Sequence, residues 1–469
     1  MKESYRLPDK FTTTGKFWLP EAPEHRVPGT LEYTTEDITL TLHGAFPVTL
    51  RDGERIESVR LSHVYGALKE GYSCTLLDVG YSGSEFSFSE THTTSYWATF
   101  LVVGSHTSGL DDLRIHSLSM QCSHLATFMG ADPFQGVLPQ WDEGFTISHK
   151  HSPPQSYRVD PLAAYIKFGV RCHLFTKHMQ MGLVAEAIAE FVPDTPHPVD
   201  WFMNAMWRLC DLLTLLTDSP VRPLAIQFRL DEDKLYDGWL VYHAAKPFSE
   251  EKPLTLAELL FGLRFFGERF AAVLDKWFGM NKPLQSSTYL FRDAHRDEGS
   301  TVGGFLKATK SVEAFSMAMG QAHYMEPAEY EQIKDSLAAL IPKDADSDFR
   351  KSMLKRLKFG NEFSFRKRIK TLVRSLSEDG RAIVCKRLVD FADGVVATRN
   401  YLTHYSDDPD TKPLEPKDCF WACHKLLMLM RILLLKYIGV DEANIVVRLK
   451  NHPWLSQQIA LWPNYKEKA

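Results

Sequence analysis

No charge of one sign dominates these 469 residues: 54 Lys+Arg stand against 59 Asp+Glu, a net of −5. The chain as a whole therefore does not advertise a polyanionic partner, and any such signal has to be local. Cysteine is scarce too. Seven residues, an odd number without repeated spacing, make no disulfide framework in a chain this long, so a reducing cytoplasm is the expected compartment. The opening MKESYRLPDKFTTTGKFWLPE has no apolar stretch behind its charges, so no secretory leader is expected. The window that most resembles a membrane span, residues 420–440, contains Lys425, Arg431 and Lys436. Each would cost about 2.5–3.5 kcal/mol near a bilayer centre, which makes a buried bundle helix the expectation and leaves no membrane partner. Internal repeats and low-complexity tracts are absent.

What is present is ordinary globular material, 44% apolar and 24% charged, in a chain too long for one core. From about Gly29 to Val170 the text is strand-like: LEYTTEDITLTLHGAF, RIESVRLSHVYGAL, SYWATFLVVGS and FTISHK are rich in Thr, Val, Tyr, Phe and Ile. Helices are expected at 182–191 (GLVAEAIAEF), 200–217 and 255–278, with two further strands at RPLAIQFRL and DGWLVYHAA. Beyond Ser300 the spacing predicts helices at 303–321, 327–341, 347–359, 364–377, 382–404 and 415–438, with NIVVRL near the end as a lone strand candidate. The expected architecture is an α+β multidomain protein: a β-rich N-terminal half with some helices (1–250), a helical connector (251–300) and an all-α C-terminal bundle (301–469).

Charge concentrates in one place. Between Arg350 and Arg374 lie Arg350, Lys351, Lys355, Arg356, Lys358, Arg366, Lys367, Arg368, Lys370 and Arg374, opposed within that stretch only by Glu362. Two short helices so loaded repel themselves, a cost that makes sense if nucleic acid lies alongside and releases counterions as it binds. The bland alternative is a solvated face balanced by acidic helices such as EPAEYEQ at 326–332.

The chemistry-bearing segment is DGVVATRNYLTHYSDDPD, residues 393–410. Leu388, Phe391, Val395, Leu402 and Tyr405 follow helical spacing, with Thr398 filling the gap, and so mark a buried stripe. Arg399, Asn400 and His404 fall largely off it. Asn400 and His404 are stacked i,i+4 neighbours, with Arg399 about 100° round from the first and about 140° from the second. Asp407-Asp408-Pro409 must stop the helix, which puts His404 where the dipole favours positive charge. Such an imidazole can take a proton from a ribose 2′-OH or give one to a leaving 5′-oxygen. A guanidinium can hold the non-bridging oxygens, and an Asn can orient either group. The nucleophile would belong to RNA, so neither metal nor cofactor is required, and DNA would escape cleavage. The bland reading is a polar helix end whose Arg and His cap carbonyls.

Arg-Asn-x-x-x-His at the end of a late helix resembles the R-x4–6-H signature of HEPN ribonucleases. VVATRNYLTHY, together with the GKFWLPE and VPGTLEY openings, is similar to the Apea-like HEPN family, with its own N-terminal domain. The resemblance implies a metal-independent endoribonuclease of antiviral abortive-infection defence, a toxin leaving 2′,3′-cyclic phosphate and 5′-hydroxyl ends. It implies catalytic roles for Arg399 and His404, with Asn400 as the usual polar second position. It also implies a homodimer or higher homo-oligomer that brings two motifs together, an N-terminal domain that senses infection or restrains the nuclease, and a phage-derived protein as candidate activator. Two alternatives stand beside it: a HEPN module that binds nucleic acid or a partner without cutting, and the HEPN component of a nucleotidyltransferase-linked toxin–antitoxin pair. For the latter, Asp111 and Asp112 in VVGSHTSGLDDL are adjacent rather than alternate, and a loop is the better expectation. Cys419, Cys423 and His424 lack the further ligands a structural zinc needs.

Overall fold

The computed structural model describes residues 5–47, 60–86, 92–137, 146–149, 152–177, 180–233, 237–242, 253–296, 302–320, 323–404 and 412–462. Tyr405 and the Asp407-Asp408-Pro409 stop lie outside them. The chain divides into two compact units, Met1–Phe278 and Gly279–Ala469.

The first unit is built on antiparallel strands. β1 (Phe11–Trp18), β2 (Val27–Tyr33), β3 (Ile38–Leu42), β4 (Arg60–Leu68), β5 (Ser73–Phe86) and β6 (His92–Ala98) pair in the order β5-β4-β1-β2-β3-β6, and β6 returns to β5, closing a six-stranded barrel. Strict alternation does the work: Leu31 and Tyr33 on β2, and Ile38, Leu40 and Leu42 on β3, all point inward and are buried. Gly80 on β5 is required by its neighbour across the pairing, since a Cβ there would lie 2.4 Å from the Trp97 ring of β6. Beyond the bend after β6 the chain continues as β7 (Phe100–Val103), and β5 serves both neighbours.

From β7 an open antiparallel sheet continues through further strands. β8 (Arg114–Ile115) stands apart, and the sheet itself takes β9 (Ser117–Cys122). A short pair, β10 (Phe134–Val137) and β11 (Thr146–His149), also lies outside it. β12 (Gln155–Val159), β13 (Ala164–Lys177), β14 (Gln180–Pro193), β15 (His197–Pro198, paired with β8), β16 (Pro223–Arg229) and β17 (Gly238–Tyr242) complete the strands. The order running out from the barrel is β7-β17-β16-β9-β14-β13-β12. Helices α1 (Leu125–Met129) and α2 (Val199–Thr217) pack beside it, with α2 burying Phe202, Leu209, Leu213 and Leu216.

Segment 182–191 is not the helix expected but part of β14, paired with β13 in fourteen consecutive partners. Its Ala and Glu are good helix formers, yet Ala185, Ala187, Ala189 and Phe191 also alternate, and long-range pairing overrides a weak local preference. Glu190 is held by Arg229 at 2.6 Å and Ser117 at 3.1 Å. The expected helix 255–278 is interrupted too. α3 (Leu263–Phe266) ends at Gly267, whose φ of 55° breaks the run before α4 (Phe270–Phe278). Residues 104–113 are a loop, as expected.

The second unit is helical: α5 (Lys282–Arg296), α6 (Val302–Ala318), α7 (Pro327–Ala339), α8 (Ser347–Lys358), α9 (Phe365–Arg374), α10 (Glu378–Val384), α11 (Leu388–His404), α12 (Pro416–Tyr437), α13 (Glu442–Asn451) and α14 (Leu455–Leu461). Starts carry their chemistry: Asp346 accepts from the N–H of Asp348 and Phe349, Ser364 from Lys367, Ser377 from Gly380 and Asp441 from Ala443. α5, which lies within the stretch expected as a helical connector, packs on α6 through reciprocal Ser287–Ser311 bonds to each other's carbonyls at 2.8 Å. The expected helix 382–404 splits because Cys385 is extended, at φ −163°. NIVVRL is not a strand. It lies in α13, with Ile445, Val446 and Leu449 on its buried face.

α12 is the spine of this unit, buried from Ala422 through Leu435 apart from His424, and it packs against α5, α6, α10, α11 and α13. The charges that argued against a membrane span are accommodated: Lys425 and Arg431 are only 4% and 5% exposed, and Lys436 pairs with Glu442. Among the described residues no helix is long and apolar enough to cross a membrane. None of the seven cysteines is joined in a disulfide.

Burial holds the Lys425 ammonium below its ordinary value, opposed by Cys385 and Asp418. A lysine lowered in the fold penalises folding wherever it is charged, and the penalty fades as pH rises toward its unfolded value. Lys425→Met is expected to raise Tm at pH 7 by about 2–4 °C. The gain should shrink between neutral pH and pH ~10 as the lysine loses its proton, followed by calorimetry across that range.

Candidate functional site

The end of α11 is placed by its own sequence and by two contacts. Phe391, Ala392, Val395 and Thr398 face inward, with Leu388 and Leu402 half-buried at either end. The Thr398 hydroxyl donates to the Gly394 carbonyl oxygen at 2.8 Å and accepts the Leu414 N–H, also at 2.8 Å. Gly394 leaves room for the Leu414 side chain, which a Cβ would meet at 2.8 Å. The chain returning toward α12 is thereby pinned to the last turns of α11.

The three polar residues singled out from sequence stand around the remainder of α11, outside that buried stripe. Arg399 is half-buried, while Asn400 and His404 are exposed. The Arg399 Nη1 donates to Asn400 Oδ1 at 3.3 Å, and its Nη2 lies 3.6 Å from Glu313 Oε2 on α6. Its guanidinium carbon sits 5.8 Å from the Phe365 ring centre on α9. The arginine is thus held on three sides, by a carboxylate, an amide and an aromatic ring. Thr403 donates to the Arg399 carbonyl oxygen at 2.8 Å, occupying the solvent side of the same turn. His404, the last described residue of α11, is exposed to water. One copy presents Arg399 and His404 from different sides of one helix, as the spacing predicts.

Glu313 and Phe365 were not found by sequence reasoning. Neither lies near the motif in the chain, and only the packing of α6 and α9 against α11 brings them to Arg399. No local signal marks them.

The ten-cation cluster divides in space. On α9, Arg366 Nε lies 3.0 Å and Lys370 Nζ 3.7 Å from Asp393 of α11, so one carboxylate partly neutralises two cations that sequence counting left unopposed. Lys367 and Arg374 are exposed on the same helix. Arg368 is not available to a ligand. It is 2% exposed, donating from Nε to the Phe363 carbonyl oxygen at 2.9 Å and from Nη2 to Glu362 at 3.0 Å. It is drawn inward because Ile369, Leu372 and Val373 around it form the buried stripe of α9. On α8, which packs on α7, Lys355, Arg356 and Lys358 are exposed, Lys351 lies 3.5 Å from Asp348, and half-buried Arg350 donates to the Pro342 carbonyl oxygen at 3.3 Å. The cations that adjoin the motif are therefore those of α9.

Among the described residues no group of three or more His, Cys, Asp or Glu is arranged to hold a metal ion. His424, beside Cys423, packs edge-on against the Phe420 ring at 4.4 Å. In the first unit a groove of about 550 Å³ is lined by Arg6, Gln121, His124, Glu186 and Leu254, among others.

Residues 12–277 match the family described as ApeA N-terminal domain 1, and residues 306–444 match the Apea-like HEPN family. No curated protein and no solved structure matches the chain.

Because Arg368 ties a buried guanidinium to Glu362 and to a carbonyl, removing it should cost the fold rather than a ligand contact. Arg368→Ala is expected to lose about 2–3 kcal/mol of stability by urea denaturation, whereas Lys367→Ala stays within about 0.5 kcal/mol.

Proposed function

The chain belongs to the ApeA family, whose C-terminal domain is Apea-like HEPN, and we propose that it is a metal-independent endoribonuclease of antiviral defence. HEPN domains are generally RNase-type nuclease modules. The observation that carries the finer reading is the pairing, on one helix end, of a guanidinium oriented on three sides with an exposed imidazole.

The chemistry follows from those groups. His404 of one copy withdraws the ribose 2′-OH proton, and the oxygen attacks the adjoining phosphorus. His404 of the partner subunit gives a proton to the departing 5′-oxygen, which leaves a 2′,3′-cyclic phosphate and a 5′-hydroxyl. Arg399 holds the non-bridging oxygens and stabilises the charge that accumulates on them in the transition state. Asn400 steers the guanidinium through its Oδ1. Two copies are needed because the two groups diverge around one helix, whereas an isologous contact can set one of each on either side of a phosphate. The exposed cations of α9 track the RNA backbone next to the motif.

In this reading the Glu313 carboxylate holds Arg399 in place while the site is empty, and the incoming phosphate competes for the same guanidinium. The N-terminal unit senses infection or restrains the nuclease in the cytoplasm, with a phage-derived protein as its activator.

Purified protein supplied with its activator is expected to cut single-stranded RNA, and not the matching DNA, in EDTA. Arg399→Ala and His404→Ala should abolish cleavage, and Glu313→Ala should lower it about tenfold by releasing the guanidinium. RNA held without scission by protein supplied with its activator would instead support a binding module, and magnesium-dependent nucleotide transfer would support the nucleotidyltransferase-linked alternative. Replacing Lys367 and Arg374 by Ala is expected to flatten the dependence of log K on log salt by about 0.7 per lost phosphate contact, measured by fluorescence anisotropy with a cleavage-dead variant.

A further inference from the structure

The hairpin of α7 and α8 buries almost nothing of itself. Tyr330, whose hydroxyl donates to the Leu357 carbonyl oxygen on α8, is the one buried residue of α7, and α8 has none. Neither helix is polar all round. Tyr330, Ile333, Leu337 and Leu340 recur every three or four residues along α7 and just past its end, and Phe349, Met353 and Leu357 recur every four along α8. Exposure reaches 44% at Ile333, 42% at Leu337, 77% at Leu340 and 54% at Phe349. Helices this short gain most of their stability from a packed apolar stripe, and a bare stripe of this kind marks an interaction surface.

Charge says what covers it. α7 carries Glu329, Glu331 and Asp335 against Lys334, whereas α8 carries Arg350, Lys351, Lys355, Arg356 and Lys358 against Asp348. A hairpin acidic on one helix and basic on the other is complementary to itself after a half-turn. A two-fold axis lays the acidic helix of each copy on the basic helix of the other, satisfying both at once.

We propose that the α7–α8 hairpin is the surface through which two copies of this chain pair, with apolar stripes meeting near the axis and α7 carboxylates meeting α8 cations around them. The inference rests on the reading that the Arg399 and His404 site needs two copies, and it names the contact that supplies the second. It also separates two uses of the basic cluster: α9 for phosphate, α8 for the partner.

The test is the mass of the full-length chain by size exclusion with light scattering, from low to high micromolar concentration. Wild type is expected to be dimeric. Ile333→Asp with Leu337→Asp should give a monomer whose circular dichroism is unchanged, since both side chains are exposed within one copy. Glu329→Lys with Glu331→Lys should weaken pairing, as should Lys355→Glu with Arg356→Glu, and all four in one chain should restore it. A monomeric wild type, or a dimer indifferent to the Asp pair, overturns the proposal; so does failure of the combined reversal to rescue. If the α8 reversals leave the dimer intact and weaken RNA binding, α8 is a nucleic-acid face and the proposal falls. A dimer that cuts no RNA would defeat the nuclease reading and leave this surface standing. A nuclease whose pairing ignores the hairpin would defeat the surface alone.

Discussion

Burial of α12 is the interaction on which the second unit depends. A run of Leu, Met and Ile from Leu426 to Leu435, interrupted by the buried Arg431, is removed from water, each such apolar side chain contributing about 1.5–3 kcal/mol. Five other helices are shaped around that rod. α11 and α6 are both laid against it, and their mutual placement decides where the Arg399 guanidinium meets the Glu313 carboxylate. A polar site at a helix end has little rigidity of its own, and its precision is borrowed from an apolar helix that carries none of the chemistry.

The same separation governs charge. Counting along the chain gives a dense basic block, but a folded helix sorts its residues by direction. Asp393 reaches across from α11 to two of the cations, Glu362 holds a third within the fold, and the α8 residues stand on a helix that packs on α7. What remains beside the motif is a smaller set, Lys367 and Arg374 with the partly neutralised Arg366 and Lys370. A field that looked uniform along the chain is divided by the geometry of two short helices.

Legibility from sequence followed the range of the interactions. The alternation in VPGTLEY and ITLTL is a local signal, and those strands form where it puts them. The caps at Asp346, Ser364 and Ser377 are equally local. GLVAEAIAEF misled because its residues favour helix one by one, while fourteen cross-strand partners with β13 hold it extended. NIVVRL misled the other way: its β-branched residues suit a strand, but Asp441 caps a helix whose buried face they fill. Glu313 and Phe365 escaped notice for the same reason. Each acts on Arg399 from another helix, and spacing along the chain contains nothing of that.

From the sequence alone came the β-rich first half, the helical second half, and a helix end bearing Arg399, Asn400 and His404. These follow from periodicity and turn chemistry that act between near neighbours. Tertiary structure alone decided that β5 closes a barrel, that Arg368 faces inward, that Glu313 reaches Arg399, and that α7 and α8 leave an apolar stripe in water. Each depends on residues tens to hundreds of positions apart, whose meeting is set by how whole elements pack.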